Sequence, residues 1–140
     1  MPKLKHVAIT THDVERTAKF YVEVFGMKEM GKIDDPGTTG CFLSDGDINL
    51  AILSFKNDQA AGVERGKGFK GIHHIGFVVD NVPTCAEKME QAGATRLTPL
   101  EARRDPSGRG QRPSQAEVKL SGPDGVIIDI SEFGWLGNSL

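Results

Sequence analysis

The sequence is sparing in several respects, and each scarcity closes off a class of protein. Cysteine occurs only twice in 140 residues, at Cys41 and Cys85, with no Cys-x-x-Cys pair. Both lie inside patterned segments and read as free, buried thiols of a reducing, cytoplasmic compartment. No apolar run approaches the roughly 18 residues that a membrane span needs. The opening residues, Met1-Pro2-Lys3-Leu4-Lys5-His6, hold no apolar stretch of the kind a secretory signal carries. Neither sign of charge dominates. The formal net charge is −2, so the overall balance points to neither nucleic acid nor an anionic membrane. Apolar residues make up 38% and charged residues 26%. Those shares exclude disorder and collagen-like repeats and describe an ordinary globular chain. This length makes one domain, or two small modules on one core, and buries a core without staples.

What the sequence does contain is an internal repeat. Lys5-His6-Val7-Ala8-Ile9-Thr10 alternates as a strand. Asp13 then caps a helix whose apolar face is Val14, Ala18, Tyr21, Val22 and Phe25, and Gly26 stops it. The second half repeats the plan. His73 to Val79 reads as a strand, Asp80-Asn81 caps, Pro83 suits the first helical turn, and Val82, Cys85, Ala86 and Met89 form the apolar face before Gly93. His6 and His74 correspond, as do Val14 and Val82, at one common offset. Three strand-like segments follow each helix: Met27 to Ile33, Gly40 to Ser44 and Ile48 to Phe55, then Thr95 to Leu97, Ala116 to Ser121 and Val126 to Ser131. The predicted class is therefore α+β, built from two βαβββ modules at 3–56 and 71–132. A linker lies at 57–70 and a tail at 133–140, where Phe133 and Trp135 are placed to cover an edge or a neighbour. A polar stretch, 101–115, interrupts the second module.

Strand alternation sorts the side chains. Val7 and Ile9, Ile75, Phe77 and Val79, Ile48, Leu50 and Ile52, and Val126, Ile128 and Ile130 belong against the helices. That leaves His6, Asn49, His74 and Asp129 on the faces away from the helices, at equivalent ends of the two modules. An acid between Ile128 and Ile130 is unusual, because a buried carboxylate without a partner is costly. Two imidazoles and one carboxylate, if they converge, make a metal-ligand set with positions left for water and substrate, and Asn49 adds a neutral oxygen. A lone strand histidine is as a rule a satisfied core residue. Equivalent placement in a duplicated module lifts this pair above that rule.

The pattern resembles the vicinal oxygen chelate superfamily, which includes glyoxalase I, methylmalonyl-CoA epimerase, extradiol dioxygenases and metal-free antibiotic-binding proteins. The resemblance rests on His6-Val7-Ala8-Ile9 before a capped helix, Phe20-Tyr21 and Phe25-Gly26 at its end, Gly71-Ile72-His73-His74-Ile75 leading to Val79-Asp80-Asn81, and Pro123-Asp124-Gly125 before Ile128-Asp129-Ile130. It covers nearly the whole chain, and the neighbourhood of His73-His74 looks most like the epimerase. It implies two modules curled into an open-barrel cleft, a homodimer, and one divalent metal ion (Fe, Mn, Co, Ni or Zn). The implied ligands are His6, Asn49, His74 and Asp129, with Asp129 also a proton acceptor. Two departures stand out. Asn49 replaces a Glu or Gln and cannot act as a base, and Gly37 to Leu43 lacks the carboxylate that the epimerase carries there. Glu29 is the nearest substitute and reads as a solvated strand residue.

Three functions follow from the resemblance. The first is a lyase or isomerase in which the metal chelates vicinal oxygens of a small-molecule substrate and stabilises an enolate. The second is a non-haem Fe(II) dioxygenase, for which His12, His73 and Tyr21 are the spare acid–base candidates. The third is a metal-free small-molecule or drug-binding protein. Arg103, Arg104, Arg109 and Arg112 form a loop suited to an anionic substrate such as a CoA ester, although Glu101 and Asp105 partly offset their charge. The glycines around Gly66-Lys67-Gly68 lack the spacing of a phosphate loop.

Overall fold

The computed structural model describes residues 1–62, 64–98 and 118–139. The arginine positions 103, 104, 109 and 112, and the whole 101–115 stretch, lie outside the described residues. The elements are β1 (Lys3–Thr10), α1 (Val14–Phe25), β2 (Lys28–Asp34), β3 (Thr38–Ser44), β4 (Asn49–Phe55), α2 (Asp58–Ala61), β5 (Gly71–Val78), α3 (Val82–Gln91), β6 (Thr95–Arg96), β7 (Val118–Ser121) and β8 (Ile127–Ser131). The class is α+β, as the repeat predicts. The residues group into two compact units, His6–His73 with Trp135–Leu140, and Met1–Lys5 with His74–Gly134.

In the unit built on His6–His73 the strand order is β2-β3-β4-β1. β1 and β4 run parallel, and the other neighbours are antiparallel. Asp13 caps α1 by accepting the backbone N–H of Arg16 at 3.1 Å. Gly26 ends the helix at φ 71°, a left-handed conformation that favours glycine. Val14, Ala18 and Tyr21 pack with Ile9 and Leu50 against Cys41, Leu43 and Ile52. Two members of the predicted face do not join them. Val22 is 38% exposed and Phe25 67% exposed. Val22 sits about 100° round the helix from Tyr21. Phe25 closes the last turn and packs on Phe20 and Tyr21 instead. On the other side of this sheet Ala8, Ala51, Leu53 and Ile33 pack with Phe42 and Phe55. Gly40 is required there, since a Cβ would lie 2.3 Å from the carbonyl oxygen of Ile52.

The other unit repeats the order as β5-β8-β7-β6, again with its first and last strands parallel. Asn81 caps α3 by accepting the Thr84 N–H at 2.8 Å, and Pro83 takes the first turn, where its missing N–H costs nothing. Val79, Val82, Ala86, Val118, Leu120 and Ile130 form the core, with Phe77, Cys85, Met89 and Ile128 packed on it. Val126, predicted to face the helix, is 44% exposed. It belongs to the turn after Pro123–Gly125, where Asp124 takes φ 58°, and β8 begins one residue later. The linker also departs from expectation. Its residues Asp58–Ala61 make one helical turn, capped by Asn57 accepting the Ala60 N–H at 2.7 Å.

Both cysteines are free, Cys41 buried and Cys85 half-buried. Burial pushes both thiols above their usual range. Glu29 raises Cys41 further and Lys32 opposes it, while Lys88 opposes the shift at Cys85. The thiolate is the reactive form. Modification by a disulfide reagent at neutral pH is therefore expected to be slower in the native protein than in urea, and to accelerate only as the pH rises well into the alkaline range. Equal native and unfolded rates would contradict this. Replacing Ile130 by Ala should cost about 2–5 kcal/mol in urea denaturation, the range for a closely packed aliphatic side chain.

Candidate functional site

Four polar residues predicted to face away from the helices are all buried: His6, Asn49, His74 and Asp129. Each unit brings one pair of them together.

In the first unit the parallel register sets His6 directly beside Asn49. Residues in register share a sheet face, and the side chains meet. Asn49 Nδ2 donates to the carbonyl of Leu136 at 2.8 Å. A carbonyl only accepts, so this contact orients the amide and points its oxygen at the imidazole. His6 Nδ1 donates to that Oδ1 at 2.7 Å. A proton is thus held on Nδ1, which leaves Nε2 as the nitrogen that a metal would take. The indole of Trp135 stacks on the same ring, with centroids 4.4 Å apart and planes within 7°. The segment that brings Trp135 is tied down by Ser44 Oγ donating to the Gly137 carbonyl, and by Asn138 Nδ2 and the Ser139 N–H donating to the Asp47 carbonyl. The tail thus covers His6, a partner that its own residues did not indicate.

In the second unit Gly76 and Asp129 are in register, two residues on from His74. His74 Nε2 lies 3.3 Å from Asp129 Oδ2, with the two side chains 5% and 0% exposed. A third residue, absent from the sequence reading, completes this cluster. Lys119 of β7 stands directly opposite Asp129 in the antiparallel register. Its Nζ lies 2.7 Å and 2.8 Å from the two carboxylate oxygens. The signal for it was present in the Pro123-Asp124-Gly125 turn, which sets which residues of the two strands face each other. Val118 and Leu120 point into the core, so Lys119 is left on the face of Asp129.

The remaining candidates lie elsewhere. His73 is a core histidine, its Nε2 2.7 Å from the Ala61 carbonyl and its ring against Phe55 and Phe69. Tyr21 packs in the α1 core and His12 is exposed. Glu29 is exposed and lines an open groove with His12 and the first turns of α1.

The donor chemistry fits a divalent ion. Metal–ligand bonds of about 2.0–2.2 Å at ordinary coordination angles put neighbouring donor atoms about 3–3.5 Å apart, which is the separation of His74 Nε2 and Asp129 Oδ2. Asn49 holds the His6 ring as metal-binding imidazoles are commonly held, by a hydrogen bond on the other nitrogen.

The family model of the Glyoxalase/Bleomycin resistance protein/Dioxygenase superfamily matches residues 3–130. The chain belongs to this superfamily. Lactoylglutathione lyase from Oryza sativa subsp. japonica is 29% identical over 136 residues, covering 94% of this chain and 44% of that protein. Mitochondrial methylmalonyl-CoA epimerase from Homo sapiens is 30% identical over 84 residues, covering 57% of this chain and 48% of that protein. The chain thus spans less than half the length of these two curated relatives. A Streptomyces coelicolor methylmalonyl-CoA epimerase variant in complex with 2-nitronate-propionyl-CoA superposes with a TM-score of 0.68 at 23% identity, over 91% of this chain and 94% of that one. The relatives thus include, by name, a lyase and an epimerase.

Trp135 is the sole tryptophan. Its emission therefore reports the stack on His6. His6→Ala is expected to shift that emission to longer wavelength as water reaches the exposed face of the indole. An unshifted spectrum in a folded variant would mean that the two rings do not stack in solution.

Proposed function

We propose that this superfamily member is a metal-dependent lyase or isomerase in which His6, His74 and Asp129 hold one divalent ion. The observation that carries the reading is the buried His74–Asp129 pair, set at the separation of neighbouring metal ligands inside a fold of this superfamily. When bound, the ion would supply a Lewis acid for vicinal oxygens of the substrate and for the negative charge of an enolate. Lactoylglutathione and methylmalonyl-CoA are both acyl thioesters, so an acyl thioester of glutathione, CoA or a similar thiol is the substrate class proposed.

The chain's own residues set what surrounds that chemistry. Asn49 fixes the tautomer and plane of His6, and in doing so commits both ends of its amide. Its proposed role is therefore to orient a ligand, whereas direct ligation would break its bond to the ring. Asp129 is ligand first, and a metal would lower its basicity as a proton acceptor. Neither Asn49 nor Glu29 supplies a second base, since an amide takes no proton and Glu29 lies on the α1 side. A reaction with one proton-transfer group is thus favoured over a two-base epimerisation. For the dioxygenase alternative, His73 is committed to the Ala61 carbonyl and Tyr21 to the core. The homodimer and the cytoplasmic location remain part of the proposal. Among the described residues, no helix is long and apolar enough to cross a membrane.

Elemental analysis of untagged protein tests the reading. About one equivalent of a transition metal is expected, lost in the His6→Ala/His74→Ala double variant while circular dichroism stays native. Manganese, cobalt, nickel or zinc would lead to proton exchange on acyl thioesters in deuterium oxide. Iron with oxygen uptake on catechols would replace the reading by the dioxygenase. No metal, and none taken up on titration, would leave a metal-free binding protein.

A further inference from the structure

Asp129 is fully buried, and a carboxylate in that position is stable only with a compensating charge. The chain supplies one itself. Lys119 Nζ spans both oxygens at 2.7 Å and 2.8 Å, so the ammonium sits on the very atoms a metal would take. The two partners differ in freedom. Asp129 is 0% exposed on a short side chain between core residues, whereas Lys119 is 28% exposed on a long flexible stem. One of them can leave toward water and the other cannot.

We propose that Lys119 is a displaceable counter-ion: it holds the Asp129 carboxylate when no metal is present, and a divalent ion must eject it to bind. This rests on the metal reading above and assigns the residue that sets how tightly the ion is held. Two effects act in one direction. Free energy is spent separating the ammonium from the carboxylate, and the displaced charge, one strand away, still repels the ion. Removing that charge therefore tightens metal binding and weakens the metal-free fold. A lysine that merely decorates the strand would do neither.

The experiment titrates manganese(II) into metal-stripped full-length protein, with binding read by electron paramagnetic resonance of the free ion and melting read by calorimetry. Lys119→Met removes the charge. Lys119→Gln also removes it but keeps a donor for the carboxylate, so a second variant is available if the methionine substitution prevents folding. Lys88→Gln, on α3, removes a charge away from the pair. The expected result is at least tenfold tighter binding in the Lys119 variants, about 1.4 kcal/mol, with a lower melting temperature without metal and a larger rise on adding it. Lys88→Gln should match wild type. The gain should persist in about 1 M salt, where the screening length is about 3 Å. Equal affinity in wild type and the Lys119 variants, or a gain abolished by that salt, overturns the inference and leaves the metal reading standing. Binding in the Lys119 variants but not in wild type overturns it as well, because the metal then does not displace the native counter-ion. No binding in any folded variant overturns both.

Discussion

A carboxylate buried in the middle of a strand constrains everything near it. Asp129 lies between Ile128 and Ile130, whose side chains turn to the α3 core, so its own must turn to the other face. There it is removed from water and needs partners at hydrogen-bonding distance. The strand pairing delivers them. β5 runs parallel on one side and brings the imidazole of His74, and β7 runs antiparallel on the other and brings the ammonium of Lys119. Core packing on one face of β8 and charge pairing on the other thus depend on one register. A slip of β7 by one residue would turn Lys119 toward Val82 and Ala86 and leave Asp129 without its ammonium.

The other unit meets the same geometric problem with an amide in place of the acid. Where β8 has an acid, β4 has Asn49, beside His6. An amide needs no countercharge, and its two ends are satisfied by an imidazole and a backbone carbonyl. The duplicated plan has therefore diverged in electrostatics while keeping its backbone. The half with the acid carries the cation. The half with the amide carries an aromatic cover, drawn from a tail that hydrogen-bonds to the β3–β4 turn.

Much of the fold was legible from short-range rules. Asp13, Gly26, Asn81 and Pro83 act within one helical turn, so residue type alone places the ends of α1 and the start of α3. Alternation sorted Ile9, Ile52, Phe77 and Ile130 correctly, because a strand side chain has only two faces to choose from. It failed where a residue lies at an element's edge. Val126 precedes its strand, and Phe25 closes its helix beyond the last core contact. Asn57 made a helical turn in a stretch without hydrophobic period, since a cap needs only its own neighbours.

The candidate residues divide along the same line. Read along the chain alone, the residues show which polar side chains leave the helix face, that they recur at equivalent places in a duplicated module, and that their chemistry suits a metal. Those are properties of period and residue type, which act locally. What each of them touches emerges with the folded chain: Asn49 grips His6 through one end and Leu136 through the other, Trp135 lies on the imidazole, His73 is held by a backbone carbonyl, and Lys119 covers Asp129. Each of those contacts joins segments distant in the chain or set by a hairpin register. Strand pairing and the path of the tail choose them, and local composition carries no record of either.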